Sequence, residues 1–66
     1  MEIYVNGARQ EFEPEITVAG LLERLGYSGR WVAVEINQDI VPRSSHVDHH
    51  IQAGDRIEIV SAMGGG

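Results

Sequence analysis

Apolar and polar residues alternate at the start of the chain, with Ile3 and Val5 on one side and Glu2 and Tyr4 on the other. A period of two is the mark of a half-buried strand. Asn6-Gly7 follows, a pair that tolerates the positive φ angles of a tight hairpin turn. A second strand is predicted from Ala8 to Glu13, closed by Pro14, whose missing amide cannot serve a sheet ladder. The period then changes. Val18, Leu21, Leu22 and Leu25 fall at i, i+3, i+4 and i+7, the apolar stripe of a short helix. Thr17 stands where an N-cap hydroxyl is wanted, and Gly26 suits the left-handed residue that ends a helix. Gly20 lies inside the helix, where glycine costs about 1 kcal/mol relative to alanine.

Alternation returns from Trp31 to Ile36, with Val32, Val34 and Ile36 inward and Glu35 outward. Asn37-Gln38-Asp39 reads as a turn, Ile40-Val41 as a short strand stopped by Pro42, and residues 43–50 (RSSHVDHH) as a polar irregular stretch. After a turn at Ala53-Gly54-Asp55, residues 56–61 form the last strand, with Ile57 and Ile59 inward and Glu58 and Val60 outward. The order is hairpin, helix, two short strands, final strand. One helix covers one face of a four- to five-stranded mixed sheet in a two-layer α+β domain. First and last strands that neighbour each other across the helix must run parallel, the arrangement of the ubiquitin-like β-grasp fold. Residues 1–60 are expected to form this domain and residues 61–66 a flexible C-terminal glycine tail.

The chain has 66 residues, 42% of them apolar, and no cysteine. Such a domain has neither disulfides nor thiolate zinc to stabilise it and rests on one small core. A net charge of −5 repels phosphate backbones, which argues against a nucleic-acid partner. No apolar run has the roughly 20 residues of a membrane helix, and the opening MEIYVNG lacks the layout of a signal peptide. A cytoplasmic protein without a membrane partner is expected.

The ending SAMGGG adds nothing to a core, because glycines cannot pack and lose the most entropy when fixed. Composition alone leaves a frayed or added end as one reading. The other rests on what glycine permits. Six extended residues span about 20 Å, enough to thread a carboxylate into another protein's active site. Gly64 and Gly65 pass a narrow channel, and the Gly66 carboxylate is unhindered for attack on a phosphate.

The segment AVEINQDIVPR (residues 33–43), the element GDRIEIV (residues 54–60), the Thr17-Val18-x-x-Leu21-Leu22 helix start and the glycine terminus together resemble the ThiS family of sulfur carriers in thiamine thiazole biosynthesis. The resemblance implies that a ThiF-like adenylating enzyme, using ATP and magnesium, activates the carboxylate of Gly66. A sulfur donor such as a cysteine desulfurase then yields a thiocarboxylate, and thiazole synthase (ThiG) accepts the sulfur. It further implies a co-substrate with no catalytic residue, metal or permanently bound cofactor of its own. The small subunit of molybdopterin synthase shares the fold, the Gly-Gly end and the activation chemistry, but is similar without the INQDIVPR segment. A ubiquitin-like modifier joined to lysines and a binding module with an inert tail are the readings from other classes.

Three further groups invite attention. His46, His49 and His50, with Asp48, have metal-binding side chains, but no cysteine and no helical i, i+4 pair accompany them; a solvated loop is expected. Glu11, Glu13 and Glu15 alternate before the helix and read as a solvated strand edge, where charge discourages pairing with another sheet. Trp31, Val60, Ala62 and Met63 are apolar and flank the tail, as a surface for docking onto an enzyme would.

Overall fold

The computed structural model describes residues 1–61. Its elements are β1 (Glu2–Val5), β2 (Ala8–Glu11), α1 (Val18–Arg24), β3 (Val32–Ile36), β4 (Asp39–Val41) and β5 (Arg56–Ser61), with a single 3₁₀ turn at Arg43–Ser45. The strands form one five-stranded sheet in the order β2-β1-β5-β3-β4. β1 and β5 are central and parallel, as the crossover through α1 requires, and the other pairs are antiparallel. This is the β-grasp arrangement the patterning predicts. No helix among the described residues is long and apolar enough to cross a membrane.

The core lies between one face of the sheet and α1. Ile3, Val5, Val34, Ile36, Val41, Ile57 and Ile59 come from the strands, and Val18, Leu21 and Leu22 from the helix. Leu25, the last residue of the predicted stripe, is only half-buried, because the helix has already ended at Arg24. Ile16 and Ile51 complete the core from loops; neither belongs to a periodic run, so patterning gave no sign of them.

A helix of seven residues cannot stand alone in water, and its exposed backbone groups are met at both ends. The Thr17 hydroxyl accepts the Gly20 amide at 3.1 Å, as an N-cap should. The Val18 and Ala19 amides donate to the carbonyls of His49 and His46, each at 2.9 Å. At the other end Gly26 takes φ +87, and the Leu25, Gly26 and Tyr27 amides reach back to the carbonyls of Leu21, Glu23 and Leu22 at 3.0, 3.2 and 2.8 Å, as at a glycine-ended helix. The internal Gly20 is explained by its neighbours in the preceding turn rather than by the sheet. A Cβ there would stand 3.3 Å from Cγ1 of Ile16 and 3.3 Å from Oγ1 of Thr17.

Two expectations need correction. β2 stops at Glu11, so Glu13 and Glu15 belong to the following loop and not to a strand edge. Phe12 bonds Met1 instead, and Glu15 turns the chain at φ +70. Residues 43–50 are not a freely solvated loop either. Their carbonyls cap α1, Thr17 and His50 form a β-bridge, and His46 is 8% exposed, with Nε2 3.2 Å from the Val41 carbonyl oxygen.

Candidate functional site

The site is built around the end of β5. Ser61, the last described residue, stands opposite Val32 in the β3–β5 ladder, and Val60 stands opposite Ala33. The chain therefore leaves the sheet beside the start of β3, next to Trp31. Gly64, Gly65 and Gly66, with Ala62 and Met63, lie outside the described residues.

Strand parity decides what surrounds this exit. Ile57 and Ile59 point to the core, so Glu58 and Val60 face the side of the sheet that α1 does not cover. Ala33 and Glu35 share that side from β3, and Ile40 stands opposite Glu35 from β4. Val60 is 61% exposed, Trp31 67% and Ile40 73%. Of the four large apolar side chains exposed among the described residues, Val47 lies apart in the loop after Ser45; the other three exceed the scatter of single exposed residues and form a surface suited to another protein. The guanidinium of Arg43 lies 3.9 Å above the centre of the Trp31 ring, a cation–π contact that fixes how the indole is presented.

The structure does not gather the remaining candidates into a reactive centre. Glu13 pairs with Arg24 on the surface; a backbone donor at Glu13 and then the Arg24 guanidinium hold its carboxyl below the ordinary carboxylate range. Glu11 sits exposed on β2. His46 is turned inward to Val41, His49 is half-buried and His50 is exposed. No group of three or more His, Asp or Glu among the described residues is placed to hold a metal ion.

Sequence reasoning placed Trp31 and Val60 beside the tail. It missed Ile40, Ala33 and Arg43. Ile40 and Ala33 follow from strand register, since each stands across from a residue of known facing. Arg43 had no signal, because its contact with Trp31 depends on how the turn after Pro42 folds back.

A model of the ThiS family matches residues 3–66. The whole chain is 36% identical to the sulfur carrier protein ThiS of Escherichia coli, covering 100% of both. It is also 44% identical to part of a thiazole synthase of Paramagnetospirillum magneticum, and 39% to part of one from Magnetococcus marinus. The chain spans about a fifth of each, 20% of their length. Among solved structures, a thiamine biosynthesis protein (ThiS) from Geobacter metallireducens superposes with a TM-score of 0.85 at 29% identity, covering 100% of both chains.

Proposed function

The chain belongs to the ThiS family, and from that premise we propose that it carries sulfur on its C-terminal glycine for thiazole formation in thiamine biosynthesis. One observation carries the reading: the likeness to the Escherichia coli sulfur carrier protein extends over all of both chains, and the family match runs through Gly66.

In this reading a ThiF-like enzyme binds ATP and magnesium, and an oxygen of the Gly66 carboxylate attacks the α-phosphorus. Pyrophosphate leaves and an acyl-adenylate forms. A sulfur nucleophile from a donor protein, such as a cysteine desulfurase, then attacks the acyl carbon and displaces AMP. Where that nucleophile is a persulfide, a thiol cleaves the resulting acyl disulfide and frees the thiocarboxylate. Thiazole synthase (ThiG) takes the sulfur. The likeness of the chain to parts of two proteins named thiazole synthase supports that choice of acceptor. The chain contributes the reacting carboxylate, a channel-width tail at Gly64 and Gly65, and a docking surface at Trp31, Val60, Ala62 and Met63. Acid–base and metal chemistry come from the partners. The exposed apolar side chains at the end of β5 support docking there, because a short tail can reach only an active site that lies against its own root.

The test is the intact mass of the chain after incubation with the activating enzyme, ATP, magnesium and a sulfur source. The expected product carries the oxygen-to-sulfur mass difference. Oxidation of Met1 or Met63 gives nearly the same change, so fragmentation must place it on Gly66. An unmodified Gly66, with the same enzymes active on the Escherichia coli carrier, would overturn the proposal.

A further inference from the structure

Glu35 of β3 and Glu58 of β5 stand directly opposite each other on the uncovered side of the sheet. Like charges in that register destabilise a sheet. The domain has a second such pair, Glu2 opposite Glu11, but there Arg9 bonds the Glu2 carboxylate at 2.9 Å. Glu35 and Glu58 have no such relief: among the described residues neither takes part in an ion pair. The cation nearest in sequence, Arg56, lies on the same side but is drawn over the Tyr4 ring, 4.7 Å from its centre. An open depression of about 460 Å³ remains, lined by Glu35, Asn37, Gln38, Arg56 and Glu58. That is room for a long side chain, with two carboxylates on its wall and one guanidinium at its rim.

The reach of the tail decides who can fill it. Residues 62–66 span at most about 18 Å when extended, so an active site holding Gly66 must bring its surface close to Ser61. Glu58 lies three residues back from Ser61 along β5, roughly 10 Å at the rise of a strand, with Val60 between them on the same side. An enzyme seated on Trp31 and Val60 therefore also faces the acidic pair.

We infer that Glu35 and Glu58 form the seat for a lysine or arginine of the adenylating enzyme, whose cation supplies the ion pair that the described residues of the fold do not. The inference rests on the carrier reading above and adds the chemistry of the partner's surface. The pair sets register and speeds encounter, as complementary charge does at interfaces, and its effect weakens as salt screens it.

The experiment compares the wild-type chain, Glu35→Gln, Glu58→Gln, the double variant and the control Glu11→Gln. Each is assayed for association with the adenylating enzyme and with thiazole synthase at low and high salt, for thermal unfolding, and for sulfur on Gly66. The double variant is expected to bind roughly tenfold or more weakly at low salt, with a flatter salt dependence, while its melting temperature holds or rises. Glu11→Gln is expected to bind as wild type. Equal weakening by Glu11→Gln would reduce the effect to net charge and overturn the seat. Unchanged binding by the double variant would overturn it while wild-type sulfur loading left the carrier reading standing. Weakened binding confined to thiazole synthase would overturn the assignment to the adenylating enzyme. A wild-type chain that is neither bound nor loaded removes the carrier reading and the seat together.

Discussion

The side-chain amide of Asn6 holds the backbone of Ile59 on both of its polar groups. Asn6 Nδ2 donates to the Ile59 carbonyl at 3.2 Å, and the Ile59 amide donates to Asn6 Oδ1 at 2.8 Å. β1 ends at Val5, opposite Ile57, two residues short of Ile59, and this side chain continues the ladder where backbone has run out. It thereby steadies β5 just before the tail root. Asn6 also sits at φ +50, a conformation asparagine tolerates and glycine accepts freely. Asn6→Gly therefore keeps the turn and removes only the clamp. With two hydrogen bonds at roughly 0.5–1.5 kcal/mol each, the variant is expected to lose roughly 1–3 kcal/mol in urea denaturation. Its Ile59 amide should exchange faster with solvent. An unchanged midpoint and exchange rate would show that the clamp contributes nothing.

The helix offers a substitution whose two effects oppose each other. Gly20→Ala gains about 1 kcal/mol of helix propensity, yet its methyl meets Ile16 Cγ1 and Thr17 Oγ1 at 3.3 Å. Ile16 is a core residue, 7% exposed, and the Thr17 hydroxyl is fixed as the N-cap acceptor. Overpacking of this kind costs about 1–3 kcal/mol, so the variant should be no more stable than wild type, and less stable if Ile16 cannot shift. A melting temperature raised by several degrees would show that both neighbours yield.

Glu15 is simpler, because only the backbone is at issue. It follows Pro14 in a turn and holds φ +70, which costs an L-residue roughly 1–2 kcal/mol. It is exposed and makes no ion pair among the described residues. Glu15→Gly relieves that strain, less the extra entropy glycine brings to the unfolded chain. A net gain of about 1 kcal/mol, or about 4–8 °C in melting temperature for a domain this size, is the expected result of a thermal scan. A loss would place the turn's preference elsewhere than in φ.

These positions separate what could be read in the chain from what could not. Strand faces, the Thr17 cap, the Asn6-Gly7 turn and the parallel central pair follow from local periodicity and capping chemistry, and all are present in the structure. The Asn6 clamp joins residues 53 positions apart, and nothing near either residue announces it. His46 and Ile51 look like parts of a polar loop because their burial depends on α1 presenting its amides to residues 46–51. The exposed apolar face was half legible: parity exposes Val60, but Ile40 and Arg43 need the register and the fold of the following turn. The glycine end has no side-chain pattern: the freedom of glycine suggested a threaded, unhindered carboxylate, and the sulfur chemistry proposed for it rests on the resemblance and the family.

Glu13 sets an acid-side response. A backbone donor first, and Arg24 second, lower its pKa in the folded chain. A carboxyl depressed by folding adds stability above its unfolded pKa and loses it as pH falls through the folded value. Stability should therefore decline below the ordinary carboxylate range, and Glu13→Gln should decline less steeply. Arg24→Gln is expected to raise the Glu13 midpoint, read by NMR titration, only part of the way, because the backbone donor remains. A full return to the ordinary value would give Arg24 the leading role.

Ile59 and Val60 are neighbours on opposite sides of the sheet, 5% and 61% exposed, and they separate folding from docking. Ile59→Gln places an amide in the core without a partner, at a cost of roughly 2 kcal/mol or more. A domain of this size has a stability of only roughly 3–10 kcal/mol, so marked destabilisation is expected. Val60→Gln leaves the core untouched and should melt close to wild type. If Val60 is buried against the adenylating enzyme, losing an apolar contact worth about 1.5–3 kcal/mol weakens binding by about 10- to 100-fold. Because the glutamine is neutral, that loss cannot be confused with the charge of Glu58 two residues away, and it should persist at high salt where the acidic pair's contribution fades. Normal affinity in Val60→Gln, with the fold intact, would mean that the enzyme holds the chain by its tail or another surface and that the exposed side of β5 is not the docking face.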